Sequence, residues 1–344
     1  MPSSVESRHK SGSLPELLGR ERHLVGWQGM SMVVPANWNP GKFGGDRKKG
    51  DLRLDDEDTA RMELRWEASP NTPNVAKSVE DFLKRITKEG KKLGTELKIL
   101  DDARPVSKNR KEKEQITNFG WVGSPDQAVG CGFGVSWYCE TCKRVTFAHI
   151  LARGGEKPAK VERLAGEVLG SLECHGEGGW DVWSAFDVKL EIPEEFELAR
   201  ARLLLNQVEL AWARPTTGFT RFKRSERLAL RRYPVANVVL DRQDLKTWAE
   251  ENVRWKNKQL ALGAPSEAPA GAHTGLLFRG GPRDPRARLL RGLTDLVRRR
   301  KTPPGEVLAW HCEKSNRIWV LETELTAENA HVAWDVLESI DCHT

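Results

Sequence analysis

Hydrophobic and polar positions along the chain fall into two successive runs of patterns. In the first, Met30-Ser31-Met32-Val33-Val34-Pro35 alternates as a strand that proline stops, and Asn37 to Lys48 is a Gly- and Pro-rich turn region. Asp51 to Leu54 and Met62 to Trp66 read as further strands. Val75, Val79, Phe82, Leu83 and Ile86 recur at helical spacing, which predicts an amphipathic helix over Ser78 to Gly90, with Gly90 as its stop. Leu97 to Leu100 is a short strand. Ala128 to Tyr138 and Arg144 to Leu151 form a hairpin that turns at Glu140 to Lys143. Val161, Leu164, Ala165, Val168, Leu169 and Leu172 then make one stripe of a helix ending near Cys174 and His175.

The second run opens at Trp180 and repeats this order. Asp187 to Pro193 is again an alternating strand stopped by proline, and Val208 to Trp212 matches Met62 to Trp66. Arg227 to Arg231 reads as an extra strand, followed by a helix from about Leu240 to Leu260. Gly263 to Gly271 has the composition of an exposed loop. Leu276 to Phe278 is a short strand, Glu306 to Cys312 with Arg317 to Glu322 a hairpin, and Asn329 to Ile340 the closing helix.

Two words recur in these runs, the first in the shared pattern Trp-x-Cys-Glu-x-x-x-Arg and the second nearly unchanged. Trp137-Tyr138-Cys139-Glu140-Thr141-Cys142-Lys143-Arg144 returns at one constant displacement as Trp310-His311-Cys312-Glu313-Lys314-Ser315-Asn316-Arg317, and Ser171 to His175 returns as Ser339 to His343. An internal duplication accounts for both. It implies a leader over residues 1–24, a first repeat over 25–176 and a second over 180–344. The expected fold class is α+β, each repeat an antiparallel sheet packed with helices. The opening strand ending in Val-Val-Pro or Glu-Ile-Pro, the central helix, the late hairpin and the last helix resemble the Mog1/PsbP-like fold, present twice. That resemblance implies a non-catalytic binding or assembly protein and brings no site residues with it.

Composition narrows the class. With 344 residues, 38% hydrophobic, 30% charged and 13 Trp, the chain can bury a core in each of two domains. No apolar run reaches membrane-spanning length and the first 24 residues lack the apolar centre of a secretory signal, so a cytoplasmic protein is expected. The net charge of +6 is modest, but its distribution is not. Arg286, Arg288, Arg291, Arg298, Arg299, Arg300 and Lys301 surround a leucine stripe, and Lys108, Arg110, Lys111 and Lys113 form a second basic excursion. These are the candidate contacts to an acidic protein, or to RNA or DNA through phosphates.

Candidate chemistry centres on the six cysteines. Cys139-x2-Cys142 with Cys174 and His175 offers four zinc ligands, and C-x2-C at a hairpin turn is a common half of a structural zinc site. In the second repeat Ser315 stands where Cys142 does, which leaves His311, Cys312, Cys342 and His343 and weakens the metal reading. Cys139 with Cys174, and Cys312 with Cys342, read equally as structural pairs: buried thiols, disulfides or parts of a metal site. Arg144 and Arg317 are expected to pair with Glu140 and Glu313 across the turns. Phosphate-loop, nucleophile-elbow and zincin motifs are missing, and Gly130, Gly132 and Gly134 alternate as in a strand, so no catalytic residue is named and no cofactor apart from zinc is expected.

Overall fold

A computed structural model of the chain describes residues 21–106, 116–123, 130–214, 226–253, 260–282 and 305–343. The chain divides into two compact units, one of Met1–Val25 and Ser31–Cys174, the other of Gly26–Met30 and His175–Thr344.

The chain enters through β1 (Arg22–Trp27) and β2 (Met30–Pro35). The sheet of the first unit contains β3 (Asn39–Gly45), β4 (Lys49–Asp55), β5 (Ala60–Ala68), β6 (Lys98–Ile99), β7 (Thr117–Val122), β8 (Cys131–Cys139) and β9 (Arg144–Leu151). Its spatial order is β3-β4-β5-β9-β8-β7-β6, antiparallel throughout. Helix α1 (Val75–Lys92) begins where the Asn74 side chain accepts from the Lys77 N–H at 3.0 Å. It ends at Leu93, just before Gly94 at φ +74°, and not at Gly90, which is buried inside the helix. Phe82 on α1 stacks edge-on with Phe119, Trp121 and Phe147 of the sheet. Helix α2 (Pro158–Gly170) buries Val161, Leu164, Ala165, Val168 and Leu169. Strand β8 meets both helices, so every one of its residues is buried and its pattern is continuous rather than alternating.

The alternating glycines of β8 are explained by their neighbours. A methyl group on Gly132 would lie 2.2 Å from the Trp121 ring, and one on Gly134 2.3 Å from the Phe119 ring and 2.7 Å from the Ala148 carbonyl oxygen. The two aromatic rings of β7 occupy the space these residues leave open. Gly134→Ala is therefore expected to cost about 1–3 kcal/mol from overpacking; equilibrium urea unfolding measures it, and a loss under about 0.5 kcal/mol, ordinary for an uncrowded site, would show that the rings move aside.

In the second unit, β10 (Trp180–Ala185) and β11 (Val188–Pro193) form a hairpin. Its main sheet contains β12 (Glu197–Leu204), β13 (Gln207–Ala213), β14 (Arg227–Pro234), β15 (Leu260–Leu262), β16 (Ser266–Ala270), β17 (His273–Pro282), β18 (Glu306–Cys312) and β19 (Arg317–Glu324). The order is β12-β13-β14-β19-β18-β17-β15, with β16 also on β17. Helices α3 (Ala236–Leu240) and α4 (Leu245–Asn252) cover Phe278, Val307, Ala309, Ile318 and Val320. Helix α5 (Val332–Ser339) closes the chain against β11.

The expected α+β class is overturned: about 48% of the described residues are strand and 21% helix, so the fold is mostly β. The strands missing from the sequence reading are the reason. Asn39–Gly45 contains Gly and Pro, Glu197–Leu204 carries charge on both faces, and Ser266–Ala270 lies inside the stretch read as a loop. Residues of this kind suit edge strands, which need neither two apolar faces nor a full ladder. The long helix expected over Leu240 to Leu260 is two short helices, and Leu260–Leu262 is a strand. Among the described residues no helix is long and apolar enough to cross a membrane.

Candidate metal centre

Two hydrogen-bonded latches build the site of the first unit. The Val33 N–H donates to Ser171 Oγ at 2.9 Å, and Ser31 and Glu173 exchange backbone hydrogen bonds at 3.1 and 2.8 Å. They hold the segment after α2 against β2, and the next residue, Cys174, reaches the end of β8. There Cys139 closes the strand opposite Arg144, across a turn in which Lys143 takes φ +52°. The ligand atoms of Cys139, Cys174 and His175 lie within 4.8 Å of one another, and Cys142 is in hydrogen-bonding reach of Cys174 and Cys139. Cys139 and Cys174 are buried, Cys142 is half-buried, and all six cysteines of the chain are free thiols. Thus three of the four residues singled out as zinc ligands, Cys139, Cys174 and His175, form one cluster, with Cys142 in reach of its two thiols, and Cys139 and Cys174 are free thiols rather than a disulfide.

The electrostatics favour a thiolate. Hydrogen bonding from Cys174, assisted by Arg144 and Cys139 and opposed by burial, holds Cys142 well below the usual thiol range. The same partnership with Cys142, together with burial, pushes Cys174 up. Arg144 supplies the compensating charge. It is only 2% exposed and donates to the backbone carbonyls of Cys174 and of Arg47, the latter at 3.3 Å. It does not make the expected pair with Glu140, which binds Lys143 at 2.5 Å instead. Arg317 likewise leaves Glu313 aside and binds Asp187 at 2.8 Å.

The second unit repeats the latches: the Glu191 N–H donates to Ser339 Oγ at 2.9 Å and the Asp341 N–H to the Lys189 carbonyl at 2.9 Å. Cys312, Cys342 and His343 converge there as the sequence reading grouped them, but His311 is not one of the cluster. Its fourth member is His273. Nothing local marks His273, since it reaches the site only through the pairing of β17 with β18. Burial and the nearby charge of His343, His311 and Lys314 depress the His273 pKa, favouring its neutral form, while burial and Cys312 push Cys342 up to about 12. The basic candidates Arg286, Arg288, Arg291, Arg298, Arg299, Arg300, Lys301, Lys108, Arg110, Lys111 and Lys113 all lie outside the described residues.

No protein-family model matches the chain, and no curated protein does. Among solved structures, the apo immunity protein TplEi of the T6SS from Pseudomonas aeruginosa aligns at 11% identity and a TM-score of 0.28, covering 93% of this chain and 95% of that one. The same protein complexed with an "L" peptide aligns at 10% identity and a TM-score of 0.28, over 94% and 97%. A likeness of that degree carries no argument about fold or function.

Proposed function

We propose that the chain is a non-catalytic binding protein, duplicated in tandem, in which a structural zinc ion pins the end of the first unit on Cys139, Cys142 and Cys174, with the adjoining His175 as fourth ligand. The observation that carries this reading is the convergence of the Cys139 and Cys174 thiols and the His175 imidazole from two remote segments, with Cys142 in reach of both thiols, beside a buried arginine. Zinc with three thiolates and a neutral imidazole bears a single negative charge, and Arg144 offsets it where solvent cannot. Four protein ligands fill a tetrahedron and leave no position for substrate or water, as in structural rather than catalytic zinc. The ion would tie the end of α2 to the β8–β9 turn.

Elemental analysis of the purified intact chain is expected to find zinc, and Cys142→Ser with Cys174→Ser to remove the share held by the first unit. A metal-free preparation from zinc-replete medium would overturn the reading. So would zinc content unchanged in that double variant.

One described surface suits the acidic partner expected from the sequence. Lys84, Lys88 and Lys91 line an open groove of about 490 Å³ along α1, floored by Leu83 and Ile99, with Glu80 as its one acid. Apolar floor and cationic rim fit an acidic protein segment better than a nucleic-acid backbone, which needs no floor. Lys84→Glu with Lys88→Glu is expected to weaken capture of such a partner at least tenfold in a salt-dependent pull-down. Binding that persists unchanged would move the partner site elsewhere.

A further inference from the structure

We propose that the second unit carries its own zinc site, of a different ligand class, on His273, Cys312, Cys342 and His343. This rests on the same metal chemistry as the first-unit reading but on different residues, and each can fail alone.

Distances come first. Tetrahedral zinc holds sulfur at about 2.3 Å and nitrogen at about 2.0–2.1 Å, which sets neighbouring S and N ligand atoms about 3.5 Å apart. His273 Nε2 lies 3.1 Å from Cys342 Sγ, His343 Nδ1 is 3.3 Å from Cys312 Sγ and 3.9 Å from Cys342 Sγ, and all four ligand atoms fall within 4.8 Å of one another. The imidazoles of His273 and His343 stand at 72° with centroids 5.4 Å apart, so neither ring stacks over the other's nitrogen. Two sulfurs and two nitrogens already sit close to the corners the ion requires.

The chain reaches this arrangement by exchanging one ligand for another. Strand β17 pairs with β18 in the register Gly275↔Trp310, and continuing it by two residues sets His273 directly across from Cys312. Ser315, at the position of Cys142, has a buried hydroxyl without a hydrogen-bond partner, and it stands outside the cluster. His273 thus supplies the ligand that the serine does not. The charge follows the exchange. Zinc with two thiolates and two neutral imidazoles is neutral and needs no buried cation. Correspondingly, Arg317, the counterpart of Arg144, is directed to Asp187, which also takes Arg232 at 2.8 Å.

Metal stoichiometry tests this, first on the wild-type chain and then on variants that each spare one unit's site. Native mass spectrometry with elemental analysis of the intact wild-type chain is expected to show two zinc ions. His273→Ala with Cys342→Ala should leave one, and Cys139→Ala with Cys174→Ala should also leave one. Cobalt(II) exchanged into the two variants separates the ligand classes, because near-ultraviolet thiolate charge-transfer absorption scales with the number of sulfurs bound. The site retained in the Cys139 and Cys174 variant should show about two thirds of the absorbance of the other.

A wild-type chain with one zinc, lost with Cys139 and Cys174 and kept without His273 and Cys342, would overturn this proposal and leave the first-unit reading standing. One zinc with the opposite dependence would support this proposal and sink the other. A metal-free wild type would overturn both.

Discussion

Cys174→Ala is expected to lower the midpoint of thermal unfolding by about 10 °C, whereas Cys131→Ala should lower it by only a few degrees. The two residues make a matched pair. Both are buried, at 2% and 5% exposure, and both lose the same sulfur. Cys131 stands apart from the metal cluster, and burial, with a smaller push from Glu156, raises its thiol to about 11, as expected of a small core hydrophobe. Cys174 is a ligand in the proposed site. Zinc supplies about 10–16 kcal/mol to small finger peptides, and a third of that corresponds to about 10 °C for a unit of this size. Differential scanning calorimetry in zinc-containing buffer measures the difference. With a strong chelator, which strips both proposed sites, the wild-type midpoint should fall at least as far as that of Cys174→Ala in zinc, while Cys131→Ala should fall by the same amount as wild type. Equal shifts for both variants in zinc would reduce Cys174 to an ordinary core thiol.

The first site was legible because its ligands are local. Cys139 and Cys142 belong to one turn, Cys174 and His175 follow one helix, and the recurrence of both words in the second half linked them. The second site was half legible for the same reason. His273 has no such neighbour, because its place is set by a strand register across more than thirty intervening residues, and an isolated histidine carries no signal of that kind. The turn arginines misled for a related reason. Glu140 and Glu313 are nearest in sequence, yet Arg144 points to backbone carbonyls and Arg317 to an aspartate in the β10–β11 turn.

Apolar periodicity likewise located strands such as β5, β8, β9, β18 and β19 but missed the edge strands β3 and β12 and also the interior strands β7 and β10. The match of Val208 to Trp212 with Met62 to Trp66 rested on similar letters, but the strand orders set β13 beside β4 in role and give the position of β5 to β14. The supposed extra strand, Arg227 to Arg231, is therefore the true counterpart of Met62 to Trp66. The error arose because two adjacent buried strands present the same alternation, and only the pairing partner, β9 or β19, tells them apart.

A second large effect is expected far from any cysteine. Arg61, on β5, breaks that strand's alternation by being buried beside Met62. Its side chain is 2% exposed and meets Asp56, fully buried, at 3.3 Å and Glu156 at 2.9 Å, while Arg153 binds Asp56 at 2.5 Å. The Arg61 guanidinium also lies over the Trp38 ring, 5.6 Å from its centroid. Removing one member leaves charge buried without its partner, so Arg61→Ala is expected to cost roughly 3–5 kcal/mol by urea unfolding. Arg65→Ala, on an exposed position of the same strand, is expected to cost under about 0.5 kcal/mol.

The acid limb distinguishes charge from packing. Burial opposes ionisation of Asp56 and Glu156, but hydrogen bonds from Arg153 and the Asp58 and Thr59 amides outweigh it at Asp56. Arg153 and Arg61 do so at Glu156, and both carboxyls fall below their ordinary range. Groups depressed in the folded state contribute stability that is complete above the unfolded values near about pH 4 and is lost as pH falls through the folded ones. Wild type should therefore lose stability below about pH 4, and Arg61→Ala, having already lost the hold of Arg61 on Glu156 at neutral pH, should show a shallower slope over the same range. Parallel slopes would mean that Arg61 acts through its contact with Trp38 alone. A shallower slope would identify the network as a charge-dependent clamp between the β4–β5 turn and the segment entering α2.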